Sequence, residues 1–317
     1  MKRRIGIMAI VGMILVGGMA GCAQKQEEVK NEPVKQESQE AIKFVDDSYM
    51  TTAKEVNENS KNIILLDARG AKDFEKNHID GSIQVTWQEF SKMEGKPGDA
   101  AWGTLLEPQE LAKKFQVLGI SKDSKVVVYG AAQNGWGEEG RIVWMLKMAG
   151  VNDASFVDGG FEALKSEGIK VSTEIVTPSP SAEMKVEALD MTVSIDTKTL
   201  KENLNSGIKI IDTREKEEFE GATKYGEARG GHNPGAINIP YKNLFNEDGS
   251  LKSAEELQKL FEENKIAKGD KVVTYCTAGI RSAYMLNVMK MLGYEDVKNY
   301  QDSFYGWAGD KETEIEK

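Results

Sequence analysis

Short apolar, β-branched runs alternate along the chain with stretches in which apolar residues recur every three or four positions. Ile63-Ile64-Leu65-Leu66 is too short for a buried helix and stops at Asp67-Ala68-Arg69, which predicts a strand. Residues 255–264 carry Leu257, Leu260 and Phe261 on one helical face and lead into a second predicted strand at 271–275. Residues 282–292 space Met285, Leu286, Val288, Met289 and Leu292 as a helix laid on a sheet, with Gly293 to end it. Alternation of this kind predicts an α/β fold with a mostly parallel central sheet flanked by helices.

The pattern occurs twice. Residues 63–69 answer 208–214, each ending in Asp-x-Arg, and the stretch from His78 to Ile83 answers that from His232 to Ile237. Lys125-Val126-Val127-Val128-Tyr129 answers residues 270–275, and Trp144-Met145-Leu146 answers Tyr284-Met285-Leu286. Four blocks in the same order point to a duplicated domain. A polar, proline-containing break at Thr177-Pro178-Ser179-Pro180 separates the copies, which gives an N-terminal domain at 42–176, a linker at 177–190 and a C-terminal domain at 191–317.

The first residues read differently. Lys2, Arg3 and Arg4 precede an apolar stretch at 5–18, shorter than the roughly 20 residues that span a bilayer. Met19-Ala20-Gly21 then places small residues before Cys22, so 1–21 reads as a secretory signal. The stretch resembles a bacterial lipobox, which implies cleavage before Cys22 and a lipid on its sulfur. The expected location is extracytoplasmic, anchored to the membrane. Residues 22–41, rich in Lys, Glu, Gln and Ser and without an aromatic, read as a flexible tether.

Composition narrows the chemistry. With 51 acidic and 41 basic residues, a formal charge of −10 offers no footprint for nucleic acid. Two cysteines and two histidines suggest no zinc site, and no motif asks for a cofactor. If lipid takes Cys22, Cys276 has no cysteine to pair with and stands as a free thiol that needs a reason.

Its surroundings supply one. Cys276 follows the predicted strand directly, and Thr277-Ala278-Gly279-Ile280-Arg281 must turn quickly into a helix for which Ser282 is the expected N-cap. Backbone N–H groups of such a loop, with the helix N-terminus, favour a thiolate. Arg281 is expected to present a cation to an anionic substrate at the rim. Aligning Tyr129 with Tyr275 puts Gly130 where Cys276 stands, so the first copy lacks the nucleophile and reads as structural. His78 and His232 read as structural turns, Asp212 and Arg214 as an internal ion pair, Arg229 as structural more than cleft-facing, and Trp136 and Trp307 as core or interface aromatics.

The chain resembles the tandem-domain rhodanese family of thiosulfate or 3-mercaptopyruvate sulfurtransferases over about residues 42–313. The resemblance rests on Asp67/Arg69 and Asp212/Arg214, on the run from Gly231 to Pro240, on the loop from Cys276, and on Gly306-Trp307. It implies two rhodanese-like domains, an active C-terminal copy and an inactive N-terminal one. It also implies transfer of sulfur through a Cys276 persulfide from a small sulfur-containing anion to a thiol or cyanide acceptor. Thr277, Ala278, Gly279, Ile280, Arg281 and Ser282 would then bind substrate. Where several relatives carry an arginine, this chain has Glu218, which would repel an anion if it faced the pocket. Two other readings stand beside this one, a non-catalytic sulfane-sulfur carrier or sensor and a cysteine phosphatase or arsenate reductase. The last needs Cys-x5-Arg around a tetrahedral oxyanion, whereas Cys276 and Arg281 are one residue closer.

Overall fold

A computed structural model describes residues 42–99, 101–181 and 183–317. The leader, Cys22 and the tether lie outside these described residues.

The first copy contains β1 (Met50–Thr51), β2 (Ile64–Asp67), β3 (His78–Ile79), β4 (Ile83–Gln84), β5 (Val126–Tyr129), β6 (Ala154–Val157) and β7 (Val171–Ser172). The second contains β8 (Ser194–Ile195), β9 (Lys209–Asp212), β10 (Ile237–Asn238), β11 (Val272–Tyr275) and β12 (Val297–Tyr300). Two five-stranded sheets result, ordered β1-β6-β5-β2-β4 and β10-β9-β11-β12-β8, with every pair parallel. The second is the first read in reverse, strand for equivalent strand, as the repeat requires. β3 and β7 form a separate antiparallel pair. The central strands β5 and β11 are buried at every residue, which explains their unbroken apolar character.

Each central strand feeds a helix, Glu138–Met148 in the first copy and Ile280–Met291 in the second. These two equivalent helices pack on each other and join the copies. Of the second, every residue except Lys290 is buried, because it faces its own sheet on one side and the other copy on the opposite side. Burying Met285, Leu286, Val288 and Met289 contributes about 1.5–3 kcal/mol each. The close crossing depends on Gly140, where a Cβ would stand 2.5 Å from Cδ2 of Tyr284. Asn287 Nδ2 donates to the Gly140 carbonyl at 2.9 Å across the same contact.

The helix at the reactive end starts earlier than expected. Its N-cap is Gly279, with φ +79°, and Ser282 lies inside the first turn, where its hydroxyl donates to Asn299 Oδ1 at 2.7 Å. The left-handed turn at Gly279 reverses the chain three residues before a serine cap would have done so.

Gly140→Ala should destabilise the protein by about 1–3 kcal/mol, since the extra methyl meets both ring and backbone of the facing helix. Urea unfolding measures this, and unchanged stability would show that the helices slide apart freely.

Candidate active site

Cys276 is the first residue after β11 and is 1% exposed. Its environment is set by where the loop carbonyls go. The carbonyl of Cys276 accepts from the Phe304 N–H at 3.0 Å, and that of Thr277 from the Tyr305 N–H at 3.1 Å. Both donors open the helix Ser303–Gly309. With its carbonyls drawn outward, the loop turns N–H groups inward, and the Gly279 N–H donates to Cys276 Sγ at 3.1 Å. Ser303 Oγ accepts from the Cys276 N–H at 3.1 Å and donates to the Tyr300 carbonyl at 3.0 Å, fixing the base of the loop.

The Asp-x-Arg motif acts on this helix from behind. Arg214 donates to both carboxylate oxygens of Asp212 and to the Gly231 carbonyl, and its guanidinium carbon lies 3.9 Å from the Phe304 ring centroid. In the first copy Arg69 does the same with Asp67, the Asn77 carbonyl and the Phe161 ring. The internal ion pair read from the sequence is therefore a brace for the helix that holds the loop. His232 stacks on Phe219 and bonds its carbonyl at 2.9 Å, and His78 does likewise on Phe74, so both histidines are structural. Arg229 binds the carbonyls of Trp307, Ala308 and Thr313, away from the cleft.

Arg281 departs from expectation. It lines the cavity over Cys276, but its Nη1 and Nη2 donate to the two oxygens of Glu218 at 2.8 and 2.9 Å. It is thus a buried, paired cation and not a free one at the rim. Glu218 does not repel an anion as a bare carboxylate would, because it is fully buried and neutralised, and Thr277 Oγ1 donates to it at 3.0 Å. Burial opposes the charge on Glu218, but Arg281 outweighs it and holds the carboxyl below its ordinary value. Burial likewise pushes the Cys276 thiol up. The charge of Arg281 and the N–H groups of Ser282 and Ala278 outweigh that, so the thiol sits below its ordinary value.

Of the loop residues read as substrate-binding, Thr277, Ala278, Ile280 and Arg281 line a cavity of about 370 Å³ with Cys276. Gly279 contributes its N–H from beneath. Ser282 is fully buried and bonded to Asn299, so it does not reach the cavity. The opposite wall comes from the first copy through Trp87, Trp102 and Trp136. Trp136 is an interface aromatic, packed on Tyr225 of the second copy, and it also lines the cavity, whereas Trp307 is core. Arg141, also from the first copy, is buried and donates to the Gly279 carbonyl at 3.1 Å and the Gly103 carbonyl at 2.9 Å. Burial pushes it down to about 10, which leaves it a cation at neutral pH, and a charge on Cys276 favours that state. Ser303, Arg141, Trp87 and Trp102 carried no sequence signal, since each acts from a remote segment.

The equivalent loop of the first copy is longer, passing through a turn at Ala132–Asn134 before its helix at Glu138, and keeps one of these backbone bonds without the thiol. The Phe161 N–H donates to the Gly130 carbonyl at 3.0 Å, matching Phe304 and Cys276. Where a side chain at position 130 would stand, the Glu139 carboxyl is in the way. Burial, then the neighbouring charge of Glu138, raises Glu139 to about 8, against N–H groups of its own residue and Ala132. Gly160 (φ +57°) and Ser303 (φ +52°) share one left-handed conformation. Glycine adopts it freely, whereas the second copy tolerates the strain of a serine there, about 1–3 kcal/mol, and uses its hydroxyl under the thiol.

A rhodanese-like domain model matches residues 52–167 and 196–310, and the chain belongs to that family, with two such domains in tandem. It is 32% identical over 251 residues to a sulfur carrier protein of Thermus thermophilus, covering 74% of this chain and 84% of that one. It is 30% identical over 245 residues to a thiosulfate sulfurtransferase of Gallus gallus (76% and 81% covered) and 28% identical over 243 to one of Corynebacterium glutamicum (73% and 77%). These relatives support a rhodanese sulfurtransferase. The fold is shared with an anaerobic ergothioneine biosynthesis enzyme from Chlorobium limicola, solved with trimethyl histidine, at a TM-score of 0.77 and 20% identity over 86% of this chain and 71% of that one.

Because the folded carboxyl of Glu139 titrates near 8 and an unfolded one near 4.5, the folded protein holds that proton more tightly. Its contribution to stability is complete below about 4.5 and is lost as pH rises towards 8. Glu139→Gln should therefore lose less stability than wild type between pH 5 and pH 8.5. Urea unfolding at both values decides, and parallel declines would refute a buried, protonated carboxyl.

Proposed function

We propose that the protein moves sulfane sulfur from thiosulfate or a related small anion to a thiol or cyanide acceptor, through a persulfide on Cys276. The observation that carries this reading is the turned loop, which directs N–H groups and the field of Arg281 at one sulfur atom and keeps carbonyls away from it. The Cys276 thiolate attacks the outer sulfur of the donor, a new S–S bond forms, and the old one breaks with its electron pair leaving on sulfite. The persulfide carries the same single negative charge into the same cradle. An acceptor thiolate then attacks the outer sulfur, and the Cys276 thiolate is the leaving group. The first copy, with Glu139 across its loop, serves as a wall and a support.

A sulfur-carrier role is a second reading, favoured by the likeness to the Thermus thermophilus carrier. It shares the persulfide and differs only in what removes it. A phosphatase is disfavoured by the four-residue spacing and by the engagement of Arg281 with Glu218.

Incubation with thiosulfate, 3-mercaptopyruvate or polysulfide should add one sulfur atom, about 32 Da by intact mass, to wild type and none to Cys276→Ser. No added sulfur with any donor would overturn the reading, and multiple turnover with cyanide or a thiol would separate enzyme from carrier. We further propose that Cys22 is lipidated and holds the protein on the outer side of a membrane, a reading supported by the basic, apolar and small-residue sequence before it. Cys22→Ala should release the protein from the membrane fraction, and continued attachment would refute the anchor.

A further inference from the structure

We propose that the cavity over Cys276 is shaped for an acceptor thiol bearing an organic ammonium group. This rests on the persulfide reading above and names the class of acceptor.

Five aromatic rings surround the approach to the sulfur: Trp87, Trp102 and Trp136 from the first copy, Tyr225 and Tyr305 from the second. They stand at right angles and not in stacks. Trp87 and Trp102 are 5.7 Å apart at 80°, Trp102 and Tyr305 5.5 Å at 84°, and Trp136 and Tyr225 4.6 Å at 73°. In each perpendicular pair the edge of one ring covers a face of only the other, and an aromatic face attracts a cation through its quadrupole. Trp136 already has one, the Arg281 guanidinium carbon lying 5.0 Å from its centroid. Among the described residues no cation lies over Trp87, Trp102, Tyr225 or Tyr305.

The charges around the box have the matching sign. Arg281 is the one cation lining it among the described residues, and it is bound to Glu218. Glu138 lines it too, its Oε2 accepting from the Trp136 N–H at 2.8 Å. Behind the tyrosines, Glu227 is buried. Its Oε2 accepts from the Tyr225 N–H at 2.9 Å, while its Oε1 has no partner among the described residues. Tyr305 donates to the Tyr225 carbonyl at 2.6 Å, locking those two rings together over that carboxylate. The remaining charge is on the sulfur itself. A cationic thiol therefore meets aromatic faces, the Glu138 carboxyl and an anionic persulfide, with Glu227 behind the tyrosine wall, whereas an anionic thiol meets no unpaired positive side chain. In the transfer, the acceptor thiolate bonds to the outer sulfur, the Cys276 S–S bond breaks, and the electron pair returns to Cys276.

The test uses wild-type protein preloaded with one sulfur, discharged by thiocholine, 2-mercaptoethanol or mercaptoacetate at equal thiolate concentration and at low and high salt. Thiocholine should react about 10-fold faster than 2-mercaptoethanol, with mercaptoacetate slowest, and the order should survive salt, which screens long-range charge but not ring contact. Trp102→Ala should collapse the ratio of thiocholine to 2-mercaptoethanol towards one, and Trp102→Phe should restore most of it. Tetramethylammonium should quench tryptophan fluorescence of the unloaded protein and compete with thiocholine. Equal rates, or a preference for mercaptoacetate, would overturn the proposal while leaving the persulfide reading intact. Failure to load sulfur would overturn both, and it would be visible in the mass spectrum before any acceptor is added.

Discussion

The surroundings of the Cys276 thiol depend above all on two carbonyls facing away from it. A loop of four residues offers as many C=O groups as N–H groups, and an anion in its centre is stabilised only if the former are removed. Here the first N–H groups of helix Ser303–Gly309 take the carbonyls of Cys276 and Thr277. Those N–H groups would lack intrahelical partners in any case. One arrangement thus satisfies a helix end and polarises a loop. Arg214 on the ring of Phe304, Ser303 beneath the Cys276 N–H, and Arg141 on the Gly279 carbonyl all hold that arrangement in register.

The duplication shows which of these features belong to the fold and which to the chemistry. Both copies keep the parallel sheet, the braced Asp-x-Arg and the bond from a phenylalanine N–H to the loop carbonyl. Only one keeps a sulfur, a serine in a strained conformation beneath it and a paired Arg281 beside it. The other places a carboxyl in the vacated space. Its surviving contribution is lateral, in that its helix buries the equivalent helix of the Cys276 copy and its three tryptophans close the cavity.

Much of this was legible beforehand because it is local or repeated. The apolar runs ending in Asp-x-Arg identified β2 and β9, the paired blocks identified the duplication, and a lone cysteine at a strand end pointed to the loop around which the cavity forms. What was not legible depends on long-range contacts. Arg281 and Glu218 are 63 positions apart, so neither the loss of a free cation at the rim nor the neutralisation of the glutamate is visible from either residue. Ser282 looked like a cap because serine commonly is one, but Gly279 turned the chain first. Trp136 read as a core or interface aromatic, and it is the latter, but that the interface encloses a cavity depends on its contacts with Tyr225 and Arg281.

The groups that tune Cys276 are drawn from Arg141 at one extreme and from Ser303 to Tyr305 at the other. In a chain still being made, Arg281 and the loop's own amides are already close in sequence to the cysteine, but the loop geometry that aims them at its sulfur is not yet fixed. Activation arrives with the final segment, when the closing helix takes up the loop carbonyls. The loop's geometry is consequently completed by the last segment of the chain, so the cradle around Cys276 exists only once the whole second copy has folded.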